Sequence, residues 1–172
     1  MGRPKALLPF GGRTFLENII QVIDSSSVEQ TVVVLGHHRS EILEAIRLEN
    51  AIFNSDYEQG MITSIQAGIR SLHADAEGAL LFLVDHPLTS VATIESLVEN
   101  FKPGRIVLPT FEGRRGHPVL FSKAVLEEIL AVPVTEGANG IVWTDPSRII
   151  EVPVEDPGIR IDVDTPEDFH RL

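Results

Sequence analysis

Gly78 to Leu88 reads GALLFLVDHPL. Within it Ala79 to Val84 is an unbroken apolar run, the right length for a strand and short for a helix. Apolar residues on both faces suit a strand covered on both sides, so the run predicts an interior strand of an α/β sheet. It stops at Asp85, and His86 and the strand-breaking Pro87 open an irregular loop. In open α/β sheets ligands bind outside the carboxyl ends of the strands. Asp85 is therefore expected at the mouth of a crevice, where a carboxylate can hold a divalent cation, usually Mg²⁺, against phosphate oxygens. The competing role, capping the next helix, is better filled by Ser90 ahead of Val91-Ala92-Thr93-Ile94-Glu95.

At 172 residues, 43% of them hydrophobic, the chain is long and apolar enough for one globular domain with a sizeable core. No apolar run approaches the roughly 18 residues of a membrane span. The opening MGRPKALLPFGG has neither the apolar centre nor the cleavage site of a signal peptide. The chain has no Cys, which excludes disulfides, thiol catalysis and thiolate metal sites and makes a cytoplasmic address the default. A net charge of −11 argues against nucleic acid as a partner. An anionic substrate would need local cations, so the few Arg and Lys positions are informative. Two of them, Arg3 and Lys5, precede Ala6-Leu7-Leu8-Pro9-Phe10 and a tight Gly11-Gly12 turn.

From Thr14 the spacing of Phe15, Leu16, Ile19, Ile20 and Ile23 predicts a helix, with Thr14 and Glu17 as a capping box and Ser25-Ser26-Ser27 as its end. Thr31 to Leu35 predicts a second buried strand. The His37-His38 pair after it is not expected to hold a metal, since adjacent strand-end residues point apart. Ser40 is expected to cap a helix through Ile42, Leu43 and Ile46, and Ala51-Ile52-Phe53 to form a short strand ending at Asn54. Gly60 then opens a helix whose apolar face is expected at Met61, Ile65, Ile69 and Leu72. A Gly before a helix start rich in small hydroxyl residues lets backbone approach a flat or anionic ligand. A helix through Ile94, Leu97, Val98 and Phe101 follows, then a strand from Arg105 to Pro109.

In FEGRRGHPVLF, Phe111 to Phe121, the Glu112-Gly113 pair reads as a hairpin tip and Val119-Leu120-Phe121 as the returning strand. Arg114, Arg115 and His117 gather donors there, which suits either an anionic group or a solvated turn. Ser122 is expected to cap a helix through Val125, Leu126, Ile129 and Leu130. A loop with Gly137 and Gly140 leads to a short helix at Ile141-Val142-Trp143. Ile149 to Val154 and Ile159 to Asp164 are expected as late strands. In the last, alternation puts Asp162 and Asp164 on one face, where they could share a cation with Asp85. Asp164 could equally cap the helix opened by Thr165-Pro166.

These motifs, taken together, resemble the molybdenum cofactor nucleotidyltransferases, especially the cytidylyltransferase-like branch. The matching residues are Gly2-Arg3-Pro4-Lys5-Ala6-Leu7-Leu8-Pro9, Asn54 with Gly60-Met61 and Ser64, VDHP at Val84 to Pro87, RGHPVLF at Arg115 to Phe121, and DVDTPED at Asp162 to Asp168. They run in the family's order over almost the whole chain. The resemblance implies a three-layer, Rossmann-like nucleotide-diphospho-sugar transferase fold with a mostly parallel sheet and a small β-hairpin extension, as a single domain over residues 1–172. It implies that a phosphate on an acceptor such as molybdopterin attacks the α-phosphate of an NTP, CTP being favoured, with release of pyrophosphate. Such transfer needs positioning and charge neutralisation more than a side-chain nucleophile.

On these positions the family implies that Lys5, with Arg3, contacts the nucleotide phosphates and that Asp85 binds Mg²⁺. Asp162 and Asp164 match the region that supplies a second metal ligand. Gly60 and Ser64 would lie near the nucleotide base or the acceptor, and are assigned to the nucleotide, with Arg115, Gly116 and His117 near the acceptor. Two departures are visible. Family members begin with a strand and a loop of the type LAAGxSxRMG that cradles the triphosphate, and this chain opens at its last residues, Met1-Gly2. It is therefore expected to be a truncation or to carry a misplaced start. The strands at Thr31–Leu35 and Ala79–Val84 would then pair directly, or another segment would fill the slot between them. The second departure is the GDxGAR-like segment of the cytidylyltransferase branch, which stands here as Val134-Thr135-Glu136-Gly137-Ala138-Asn139, without the motif's Asp and Arg that the molybdopterin acceptor would need. A catalytic nucleotidyltransferase and a non-catalytic remnant that binds a nucleotide or a partner protein are the two readings, and oligomer formation is left open.

Overall fold

Only the first part of the apolar run at 79–84 becomes strand. Ladder bonds hold Gly78–Leu81, and the register ends where Leu81 faces Val119. The residue before Val119 is Pro118, which has no N–H to continue the ladder. This is a computed structural model, which describes residues 3–135 and 145–170. After a 3-10 turn at Lys5–Leu7 come β1 (Pro9–Phe10), β2 (Arg13–Thr14), α1 (Phe15–Asp24), β3 (Val33–Leu35), α2 (Arg39–Ala45) and β4 (Ala51–Phe53). A second 3-10 turn, Tyr57–Gln59, leads into α3 (Met61–Arg70), then β5 (Gly78–Leu81), α4 (Val91–Glu99), β6 (Ile106–Phe111), β7 (Arg114–Arg115), β8 (Val119–Ser122) and α5 (Lys123–Ala131). The chain closes with β9 (Ile149–Pro153), a 3-10 turn at Pro157–Arg160, and α6 (Pro166–Phe169).

The main sheet is mixed: β5, β8, β6 and β7 follow one another antiparallel, and β9 joins β6 in parallel. The antiparallel steps arise because β8 returns between β5 and β6, where the sequence pattern suggested mostly parallel neighbours. β3 and β4 form a separate parallel pair. β1 and β2 make the small hairpin, turned by Gly11 and Gly12 at φ 58° and 85°.

The strands covered on both faces are β6 and β8. On one side Ile106, Leu108, Val119 and Phe121 pack with Ile62 and Ile65 of α3 and Val125, Leu126 and Ile129 of α5. On the other, Val107 and Leu120 meet Leu97 of α4 and Val152 of β9. Helices on both faces give the three layers. β5 is half-buried throughout, because it is the end strand of this order. Among the described residues no ladder joins β3 to β5, and no further strand lies on the free edge of either. Neither expected arrangement of that slot is therefore seen. Side chains bridge it instead: Val84 packs both on the cluster of Leu7, Leu16 and Leu35 and on that of Ile19, Ile23 and Ile94.

Local chemistry explains the remaining agreements and differences. Thr14 and Glu17 form the capping box of α1, and Ser90 Oγ accepts from Thr93 N to cap α4. The tip of the β6–β7 hairpin is Glu112-Gly113, both at positive φ. β7 itself is the returning strand, and Val119–Ser122 starts anew after the Gly116-His117-Pro118 turn. α2 begins at Arg39 with His38 at its N-cap, so Ser40 lies inside the helix. Ser122 stands at the N-cap of α5, but its hydroxyl makes no capping bond. The core face of α3 is Ile62, Thr63, Ile65 and Gln66, leaving Met61 55% exposed at the first turn. Ile159 to Asp164 is not a strand: it starts in the 3-10 turn, whose backbone bonds replace a ladder. Alternation survives without one, since Val163 is buried and Asp162 and Asp164 face out. Thr165, bonded reciprocally to Asp168, caps α6 in place of Asp164. The expected helix at 141–143, Gly137 and Gly140, Gly2, and most of the 134–139 segment lie outside the described residues.

Candidate active site

Asp85 is held by three elements. The turn that carries it closes when His86 N donates to Leu83 O at 3.1 Å. Val163 N donates to Asp85 O at 3.0 Å, which ties the turn to the C-terminal segment. From α1, Asn18 Nδ2 donates to Pro87 O at 2.7 Å. The two carboxylate oxygens of Asp85 have different surroundings. Oδ2 lies 3.5 Å from Lys5 Nζ, whereas Oδ1 is buried with no hydrogen-bond partner. A buried acceptor left unpaired costs about 1–3 kcal/mol, so the geometry leaves an oxygen ready for a cation.

Lys5 reaches this point from the first 3-10 turn, whose Ala6 and Leu7 are anchored in the core. Its ammonium also donates to Asp164 Oδ1. Partial burial alone would lower the Lys5 pKa, but the bond to Asp164 and the charges of Asp85, Asp164 and Asp162 outweigh it and hold the group above its usual value. Lys5 in turn holds the Asp164 carboxyl below the usual range, chiefly through that hydrogen bond. Asp162 moves the other way: burial, then the negative charges of Asp85 and Asp164, push it up. Asp85, Asp162 and Asp164 thus surround one ammonium, and the excess negative charge is what a divalent cation relieves.

One ligand atom each from Asp85, His86 and Asp162 lie within 4.8 Å of one another. His86 was not singled out by the sequence; its only signal was its place between Asp85 and Pro87. Its Nδ1 is buried without a partner, as is Nδ1 of His117, whose ring lies 4.7 Å from that of His86. Burial, followed by the proximity of His86, lowers the His117 pKa to about 4, so the ring is neutral near pH 7. Its backbone is fixed by His117 N donating to Ile159 O at 2.9 Å. Gly116 is needed there, because a Cβ would meet Ile159 O at 2.4 Å. The residues fit a metal: two oxygen donors and an imidazole converge, and two of them carry orphaned buried atoms.

The other expected site residues occupy different surroundings. Gly60 has φ 111°, a conformation open to glycine, and stands at the start of α3 without a side-chain cap. Ser64 is half-buried and accepts from Asn54 Nδ2 at 2.9 Å. Asn54 also donates to Thr63 Oγ1 and accepts from Asp56 N, so it organises the loop entering α3. Arg115 directs its guanidinium to Glu151 Oε1 at 2.7 Å. Arg3 is exposed ahead of the first turn.

Residues 1–148 match the family model of the MobA-like NTP transferase domain. The chain belongs to this family. It is 31% identical to nicotine blue oxidoreductase of Paenarthrobacter nicotinovorans over 183 aligned positions, covering all of this chain and 89% of that protein. It is 29% identical to the molybdenum cofactor cytidylyltransferase of Escherichia coli K12, covering 98% of this chain and 86% of that one. Among solved structures, Rv0371c from Mycobacterium tuberculosis H37Rv superposes with a TM-score of 0.87 at 25% identity, covering 99% and 89% of the two chains. Its manganese complex superposes at 0.83 and 27% identity, covering 98% and 90%. The chain is thus a nucleotidyltransferase with the fold of its family.

Proposed function

We propose that this nucleotidyltransferase, acting as a single domain over residues 1–172, moves CMP from CTP to a phosphorylated acceptor such as molybdopterin, releasing pyrophosphate. The observation that carries the reading is the Lys5–Asp85 contact at 3.5 Å, beside the unpartnered Asp85 Oδ1. Lys5 and Arg3 bind the nucleotide phosphates, with Gly60 and Ser64 alongside the nucleotide. Arg115, Gly116 and His117 receive the acceptor. Asp85 and Asp162, with Asp164 beside them, hold a divalent cation, Mg²⁺ being the ion that triphosphates bring. When bound, the cation neutralises phosphate charge. Lys5, released from Asp164, adds positive charge at the phosphates, and Arg115 supplies the charge that faces the acceptor phosphate.

Pyrophosphate release from CTP and from GTP, each with a phosphorylated pterin acceptor, tests the proposal. CTP is expected to be turned over faster, and Asp85→Ala to lose on the order of 100-fold or more while the melting temperature stays near that of the parent. Near-normal turnover by Asp85→Ala would overturn the site. A second reading, an oxidoreductase, follows from the name of the 31% identical relative; no pyrophosphate from any NTP, together with reduction of a dye substrate, would favour it.

A further inference from the structure

We propose that His86 is a third ligand of the cation, and that its nitrogen makes this centre prefer Mn²⁺ over Mg²⁺. The inference rests on the metal-binding reading of Asp85 and Asp162. Ligand atoms about 2.1–2.2 Å from one ion lie roughly 3–4.4 Å apart. The Asp85, His86 and Asp162 atoms all fall within 4.8 Å of each other, so a small inward turn of these side chains converts the group into a coordination shell.

The imidazole has no competing task. His86 Nδ1 is buried and makes no hydrogen bond, and the backbone of His86 is already fixed by its bond to Leu83 O. The His117 ring packs 4.7 Å away at 41°, which limits how far the His86 ring can turn. A buried imidazole nitrogen without a partner is costly, and an ion repays that cost where a side-chain donor is lacking. Asp85 presents the same pattern through Oδ1. Asp164, by contrast, is engaged with Lys5 and lies outside the compact group.

Donor type then decides the metal. Mg²⁺ is hard, gives up water reluctantly and favours all-oxygen shells. Imidazole suits first-row transition ions, and a mixed carboxylate–imidazole set shifts selectivity towards them. Mn²⁺ keeps enough affinity for the two carboxylates to use all three ligands. The similar Rv0371c protein has been solved as a manganese complex, which shows that a chain of this fold takes that ion.

The test is electron paramagnetic resonance of Mn²⁺ added to the chain, alone and with a non-hydrolysable CTP analogue. The expected result is bound Mn²⁺ with electron spin-echo modulation from ¹⁴N. That modulation should disappear on ¹⁵N-histidine labelling of the native chain, which needs no mutation, and in His86→Asn. Mg²⁺ should displace Mn²⁺ only in at least tenfold excess, and His86→Asn should lower that preference about tenfold. Bound Mn²⁺ without nitrogen modulation, or an unchanged preference in His86→Asn, would overturn the role of His86 alone. Failure of Mn²⁺ to bind, or binding untouched by Asp85→Asn, would overturn the metal reading of the site as well.

Discussion

At Lys5 one ammonium serves two carboxylates, Asp85 and Asp164, and is only partly withdrawn from water. An ion pair this open adds little to stability, since water and salt screen it, so its purpose is positional. Lys5→Ala is expected to weaken CTP binding about tenfold or more and to leave acceptor binding and the unfolding midpoint nearly unchanged. Isothermal titration with each ligand, paired with a thermal melt, checks this; a loss confined to the acceptor would reverse the map. The sequence singled out Asp85 from its place after an apolar run and Lys5 through the family resemblance, and the fold brings the two within 3.5 Å. His86 was not singled out, because its place between Asp85 and Pro87 says nothing of what surrounds its ring until the packing is known.

Two connections between elements set the geometry around the site. Gly116 lets the β7–β8 turn lie against the 3-10 turn at Pro157–Arg160, where its missing Cβ avoids both the carbonyl and the side chain of Ile159. Gly116→Ala must push these backbones apart and is expected to cost about 1–3 kcal/mol, read as a lower urea midpoint at unchanged slope. Asp156 joins that same turn to α4: its carboxylate accepts from Ser90 N at 2.9 Å, Thr93 Oγ1 at 2.7 Å and Gly158 N at 2.9 Å. Burial pushes the Asp156 pKa up, but the bonds from Thr93, Ser90 and Gly158 outweigh it and leave the group below its ordinary 3.8. Its stabilisation is therefore complete above that ordinary value and is lost as pH falls through the lower, folded value. Asp156→Asn is expected to flatten the acid limb of a stability–pH profile below that ordinary value, and Asp156→Ala to cost about 2 kcal/mol at pH 7. An acid limb identical to that of the parent would remove Asp156 from this account.

Over the whole molecule, Phe15 links parts far apart in the chain. It is fully buried against Leu8 and Val163, with Phe10 and Phe169 at its edge. The segment with Val163 carries Asp162 and Asp164, and the one with Leu8 follows Lys5, so this cluster holds the two halves of the site together. Phe15→Ala is expected to cost about 3–5 kcal/mol and to lower cation affinity in the fraction that remains folded. Denaturant melts and metal titration measure the two effects separately; an unchanged cation affinity would mean that the ladder and turn bonds alone hold the site.

The sequence by itself determined the α/β class, the capping box at Thr14 and Glu17 and the hairpin tip at Glu112-Gly113, because each depends on neighbours a few residues away. Alternation was enough to put Asp162 and Asp164 outside and Val163 inside, even though no ladder forms there. Tertiary structure alone decided which strands are covered on both faces. β5 reads as more apolar than its end position requires, while β6 and β8 take the centre because α3 and α5 pack on one side of them and α4 on the other. It also decided where the Gly78 strand stops, since a ladder ends with its partner, here at Pro118. The convergence of Lys5, Asp85, His86 and Asp162 belongs to the fold for the same reason. Those residues come from three separate stretches of chain, and only the packing of the N-terminal turn and the C-terminal segment around Asp85 brings their charges within reach of one ion.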